Sequence, residues 1–426
     1  MAMGPESAPV LLTCGTLIDG TGAGPVRDAA VLMNAGRIAY AGSRHPVRDL
    51  RGIRVIDAPG KTVVPGLIDL HNHSTFDADM RVYVKNGVTT IRFAGLNQDA
   101  VVTLRDRVMR NEVPGPRIFS CGPMLDKAPP AYPRWTSPVN TPAEATATAR
   151  RLLSEDRVEA LIVTQQITPD LLRPIVQVGH AFGRPVVGQL WGTDGLEAAA
   201  LGIDQLDNYS RIFASREYPK ARLLAYRSVA ERLSLLARGW ATVDWDLTKP
   251  IIEAMVHHRI SYCPTLVVHR YQADLGGQSL EVDPDYQTMF GEPERKEWTG
   301  FMEHVQGAWT DEDRSYMRIA YEKRLEWIRR FHALGGTVVV GTDMQFGGIM
   351  VHEELRQLEA AGLSRMDALR AATGSAARAL GMADSLGAIQ PGRMADLVVL
   401  NRDPLQDLSA LRDISCVFKG GAITAP

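Results

Sequence analysis

The chain has 426 residues, 45% hydrophobic and 23% charged, near the globular averages, which excludes a disordered, collagen-like or coiled-coil protein. Lysine and arginine total 47 against 49 aspartate and glutamate, a formal charge of −2, so there is no basic footprint for nucleic acid and no polybasic membrane patch. The four cysteines (Cys14, Cys121, Cys263, Cys416) form no C-x-x-C pair. No apolar run reaches transmembrane length, and residues 1–10 lack the basic-then-apolar pattern of a secretory signal. The expectation is a reduced, cytoplasmic protein.

Residues 8–60 read as short strands at 10–14, 29–33 and 37–41, punctuated by Gly20, Gly22, Gly24 and the 34–36 turn. From about residue 61 strands alternate with helices. The candidate strands are 66–70, 88–93, 117–120, 160–164, 185–190, 203–207, 261–266 and 337–341. Thr141, Pro142 and Glu144 spell a helix start. Helices at 169–181 and 321–334 end at Gly183 and at Gly335-Gly336. Ser364 with Asp367 opens another, through about residue 380. Eight strand–helix units predict a closed (β/α)8 TIM barrel over 61–384. Residues 385–426 return to strands at 396–400, 414–418 and 422–424. Neither flank is long enough for a core of its own, so 1–60 and 385–426 are expected to form one small composite β-sandwich.

Two connections are long, at 209–241 and 269–320. The second carries Tyr271, Tyr286, Phe290, Trp298, Phe301, Trp309 and Tyr316. Loops that follow barrel strands build active sites, so these are candidate lids; helix packing is the plainer use of the aromatics.

His71 and His73 end the first barrel strand behind the apolar run 65–70. Residues at i and i+2 point to one side of a strand, so two imidazoles there can grip one metal ion. Gly341-Thr342-Asp343 ends the eighth strand, the neighbour of the first in a barrel, and brings a carboxylate to the same place. Arg92 follows strand two as a candidate anion binder or a structural ion pair. Gln165 and Gln166 follow strand four. Trp191 and Tyr209, after strands five and six, are candidates to stack on substrate. His269, beyond strand seven, is a candidate acid, base or replacement ligand.

With these residues in place, the chain resembles the amidohydrolase superfamily, in its imidazolonepropionase- and prolidase-like branch. The likeness runs through PGLIDLHNH at 65–73, GVTTIR at 87–92, CPTLVV at 263–268, GTD at 341–343, the segment 359–381 and the tail 387–408. It implies a barrel with a sandwich from both termini. It also implies, for two-metal members, six ligands: two His from strand one, a carboxylated Lys from strand four, one His each from strands five and six, and an Asp from strand eight. His71, His73 and Asp343 match. Ile162 stands where the Lys belongs, Gln189 and Asn208 where the other two His belong, and Phe93 where an Asp commonly follows the strand-two Arg.

Isoleucine cannot ligate, and neutral amides are poor ligands for a transition metal. The residues that remain suit one divalent ion, Zn2+ by preference, held by His71, His73 and Asp343, with Gln189 or water completing the shell. Such a site hydrolyses a C–N bond, amide or cyclic amide, of a small organic substrate. The alternative is a metal-free lyase, cyclase or isomerase of specialised metabolism. There His71, His73 and Asp343 move protons while Gln189 and Asn208 orient substrate. A non-catalytic binding protein fits least, because the whole triad is kept. The expected partner is a small molecule, with neither nucleic acid nor membrane; a homo-oligomer is open, since dimers are common among soluble enzymes.

Overall fold

A computed structural model describes residues 8–44, 51–130, 132–226, 228–273 and 284–425. Both ends of the chain build one seven-stranded sheet. Val10–Leu17 pairs antiparallel with Val26–Asn34 and parallel with Arg54–Pro65. Arg37–Ser43 extends one edge. On the other side Leu397–Leu400 joins Arg54–Pro65, followed by Ile414–Lys419 and Ala422–Ala425.

The sheet curls until its far regions meet. Ile38 N–H donates to the Arg393 carbonyl (2.9 Å) and Ala395 N–H to that of Gly36 (2.9 Å). Leu12, Val31, Val63, Leu397, Val399 and Phe418 fill the interior, so the curled sheet is the expected sandwich. Arg54–Pro65 is a strand the sequence reading lacks. Pro59 and Gly60 in its middle argue against a paired strand. A register shift between Cys14 and Thr16 admits them, and Gly15 allows the close approach: a Cβ there would lie 2.9 Å from Gly60 Cα.

The barrel strands are Leu67–Asn72, Val88–Phe93, Arg117–Ser120, Leu161–Val163, Val186–Gly188, Gln205–Asp207, Ser261–Cys263 and Thr337–Val338, and the pairings between them are parallel. Bonds outside the regular ladders close the ring. Glu159 N–H donates to the Ser120 carbonyl (2.9 Å), joining the third strand to the fourth, and Leu70 N–H to that of Val340 (3.0 Å), joining the first to the eighth. The seventh strand stops at Cys263 and not at residue 266. Thr265 turns left-handed (φ 45), and helix Leu266–Gln272 begins at once. His269 is therefore helical. Two short strands after the third, Met124–Asp126 and Thr136–Pro138, also escaped the sequence reading.

The helix signals act locally. Thr141 Oγ1 accepts from Glu144 N–H (3.2 Å) at the start of Pro142–Ser154, and Pro169–Ala181 gives way to Gly183 at φ 64. Ser364 caps Arg365–Ala371, but this helix breaks before Gly374–Ala379. The helix expected from residue 321 runs Asp311–Ala333, opened by a capping box between Thr310 and Asp313. With Pro284–Met289 and Glu292–Gly307, most of the described connection after strand seven is helical. Its aromatics pack among themselves and neighbours. Phe290 and Tyr286 lie 4.3 and 4.9 Å from the Phe346 ring, and Trp309 Nε1 donates to the Ala230 carbonyl (3.0 Å). The side chains of Trp298 and Phe301 lie outside the described residues. Among the described residues no helix is long and apolar enough to cross a membrane.

Candidate metal centre

The C-terminal mouth of the barrel gathers His71, His73 and Asp343. One donor atom from each lies within 4.8 Å of the others. The first strand delivers both imidazoles. The loop after the eighth delivers the carboxylate, fixed by two amides: Thr342 and Asp343 N–H both donate to the His71 carbonyl (3.0 and 2.7 Å). Asp343 sits at φ 51, a conformation costly for a non-glycine residue and typical of functional sites. Beneath it, Gly341 has room for no side chain, since a Cβ would lie 2.7 Å from His71 Cβ and 2.4 Å from Cys263 Sγ.

His71 is fully buried and held at both ring nitrogens. Nδ1 donates to Asp207 Oδ2 (2.7 Å). Nε2 faces Asp343 Oδ1 at 3.5 Å and accepts from Gln189 Nε2 at 3.0 Å. His73 Nε2 meets the same Asp343 oxygen at 2.9 Å and is the more open imidazole, 27% exposed. Asn208 Nδ2 donates to the other Asp343 oxygen.

Burial disfavours the His71 imidazolium, but Asp207 and Asp343 outweigh it and lift its pKa to about 9; the Gln189 amide, by donating to Nε2, works toward the neutral ring. Burial raises Asp343, yet the His71 and His73 imidazoles beside it hold its carboxyl well below the usual range. Asp69, under the site, accepts from the His71 and Thr342 amides, Thr342 Oγ1 and the Tyr83 hydroxyl; burial still pushes it up to about 6.

The donor set suits a divalent transition metal. Two imidazoles and a carboxylate converge, and the Asp207–His71 bond leaves Nε2 as the ligating nitrogen, the carboxylate–histidine arrangement common at metal sites.

Gln189 and Asn208 thus touch the triad directly. Arg92 is sealed beneath it: Nε donates to the Leu70 carbonyl (3.0 Å) and a terminal nitrogen lies 3.7 Å from Asp207, so its charge faces the barrel interior and is closed to solvent. Trp191 is also buried, with Nε1 donating to the Tyr209 carbonyl (2.6 Å) and its ring edge-on to Tyr226 at 5.8 Å. Tyr209 stands edge-on to His269 at 4.9 Å and accepts from Gln272 Nε2 (2.6 Å). Burial, with Arg324 nearby, keeps His269 well below its ordinary pKa. Gln165 accepts from the Tyr226 hydroxyl (2.9 Å).

One residue of the site escaped the sequence reading. Asp207 precedes Asn208 and alternates with Gln205 on one face of the sixth strand. Two buried polar residues at i and i+2 in so short a strand were the available signal.

The sequence profile of the amidohydrolase family matches residues 317–424. An imidazolonepropionase from Streptomyces griseus is 41% identical over 66 residues, 15% of this chain and 16% of that protein. The chain thus spans about a sixth of the length of this curated relative. Among solved structures, ochratoxinase of Aspergillus niger superposes with TM-score 0.74 at 18% identity, covering 99% of this chain and 96% of that one. A Xaa-Pro dipeptidase with methionine bound in its active site gives TM-score 0.73 at 19% identity, covering 98% and 100%. At these identities the likeness is one of fold.

Proposed function

We propose that the chain is a member of the amidohydrolase superfamily, whose family profile matches residues 317–424, and that it hydrolyses a C–N bond, amide or cyclic amide, of a small organic substrate with one divalent metal ion, Zn2+ by preference. The observation that carries this is the convergence of His71, His73 and Asp343 within 4.8 Å at the barrel mouth. When bound, such an ion polarises a carbonyl and acidifies a water. The residues supply the rest. Asp207 fixes the His71 ring. Asn208 holds one Asp343 oxygen and leaves the other, shared with His71 and His73, to take a proton and hand it to the leaving nitrogen. Ile162, Gln189 and Asn208, standing where a second ion's ligands belong in two-metal relatives, support a single ion. The four unpaired cysteines suit a reducing, cytoplasmic setting.

A second reading follows from the amides. Gln189 donates to His71 and Asn208 to Asp343, a cluster able to move protons in an elimination, cyclisation or isomerisation. Metal analysis of purified protein and of His71→Ala, with turnover of an amide panel, separates the two. About one ion per chain, lost on mutation, with amide hydrolysis, supports the first reading. Turnover retained under chelator with no bound metal selects the second.

A further inference from the structure

The opposite end of the barrel carries a cavity that the metal centre leaves unused. It is lined by residues at the starts of strands five to eight, Pro185, Asp204, Ser261 and Thr337, and by Ser375 and Arg378 of helix Gly374–Ala379. Gln189 and Asn208 follow the far ends of two of these strands, so the barrel itself separates this cavity from the triad. Its volume is about 550 Å3, within the range of small-molecule sites.

Charge sets its character. Arg184, Arg259 and Arg378 line it, against one carboxylate, that of Asp204. Asp204 is already engaged: Oδ2 lies 3.0 Å from His180 Nε2 and accepts from the Val186 amide (2.8 Å). The side chains of Arg184 and Arg259 make no hydrogen bond or ion pair among the described residues. Glu159 feels the Arg184 charge, but its oxygens are held by Arg105 Nη1 (2.7 Å) and the Ser120 amide (2.9 Å). Arg378 has a single tie, from Nη2 to Ser375 Oγ (3.1 Å). Partial burial, then the charges of Arg370 and Arg393, hold it below its ordinary pKa. An adjoining hollow of about 220 Å3 shares Ser375 and Arg378 and adds Arg370. There Arg370 Nη1 lies 3.2 Å from Asp367 Oδ1, while its buried Nε has no hydrogen-bond partner among the described residues.

Like charges gathered without counter-ions repel one another, and a concave wall focuses their field on the space between them. Arginine is the side chain whose fork fits phosphate and carboxylate. Met255, Val256 and Ile260 add an apolar stretch of wall, a surface for a carbon skeleton.

We propose that this cavity is a second binding site, taking a small organic molecule with two negative charges, a phosphate ester or a dicarboxylate, among Arg184, Arg259 and Arg378. Its occupant is not the molecule turned over at the mouth, and the proposal holds whichever reaction runs there.

Calorimetric titration of the full chain at low ionic strength, with and without added Zn2+, tests this. The probes are methyl phosphate, succinate and succinamide, the last a neutral isostere of succinate. Saturable binding of at least one dianion is expected, with succinamide weaker by about tenfold or more, the loss of one charge-assisted hydrogen bond. Which dianion binds distinguishes a phosphate ester from a dicarboxylate. Arg259→Gln and Arg378→Gln each lower the affinity by about tenfold, and Zn2+ leaves it unchanged. The proposal is overturned if neither dianion binds, if succinamide binds as tightly, if the affinity survives both substitutions, or if binding appears only with Zn2+. Arg259 and Arg378 both reach solvent, where substitutions seldom disturb a fold, and the comparison of charged and neutral probes needs no variant.

Discussion

Asp207→Asn is the perturbation that reaches furthest into the site. The parent carboxylate is fully buried and serves three groups: His71 Nδ1 at 2.7 Å, the Gln205 amide, and Arg92 at 3.7 Å. An asparagine keeps the shape and one acceptor oxygen but removes the charge. Arg92 then has no counter-charge in a closed interior, where Nη1 and Nη2 already lack hydrogen-bond partners among the described residues. Removing one partner of a buried pair costs about 3–5 kcal/mol, a large share of the roughly 5–15 kcal/mol that holds a native protein together. The same change loosens the ring that presents Nε2, and loss of such an outer partner lowers metal affinity about 10- to 100-fold. Urea unfolding of zinc-free protein measures the first effect, and competition for zinc against a chromophoric chelator measures the second. If the variant matches the parent in both, the assignment of Asp207 as counter-ion and ring holder is wrong.

Other outcomes follow from the same geometry. Gly341→Ala places a methyl against Cys263 Sγ and His71 Cβ and costs about 1–3 kcal/mol; Cys263→Ala in that background restores part of the loss in an unfolding titration. Glu354, buried and accepting from the Leu266 and Val267 amides (2.9 and 2.8 Å), is raised by burial from 4.5 to about 8. Its folded form holds the proton more tightly than the unfolded chain, so its contribution to stability is lost as pH rises from 4.5 to 8 and is flat above. Unfolding midpoints of Glu354→Gln across that range should decline less than the parent's. Chelation should lower the melting temperature and added Zn2+ restore it, since an ion at about 100 times its Kd adds ~2.7 kcal/mol; a titration that ends near two ions per chain would rule out a single-metal centre.

Local chemistry carried much of this into the sequence. Thr141 and Ser364 announce helices because a cap needs only its own next three residues. His71 and His73 announce a site because strand alternation puts them on one side, and Asp343 joins them once a barrel makes the eighth strand neighbour the first. What stayed hidden depends on partners far along the chain. Arg54–Pro65 survives Pro59 and Gly60 only because the strand beside it carries a compensating irregularity at Gly15. Thr265 ends a strand early by a backbone turn that no residue-type rule assigns to threonine. Asp207 draws its meaning from His71, and nothing adjacent to it in sequence says so.

The strand Arg54–Pro65 takes its partners from distant parts of the sequence, Val10–Leu17 on one edge and Leu397–Leu400 on the other. During translation the first partner is there at once, while the second waits for the whole barrel to be made. At roughly 5–20 residues per second the wait is on the order of tens of seconds. Through that interval the nascent protein shows the cell an open sheet edge, a template for any strand that passes. The late strand Leu397–Leu400 is therefore also the cover of that edge.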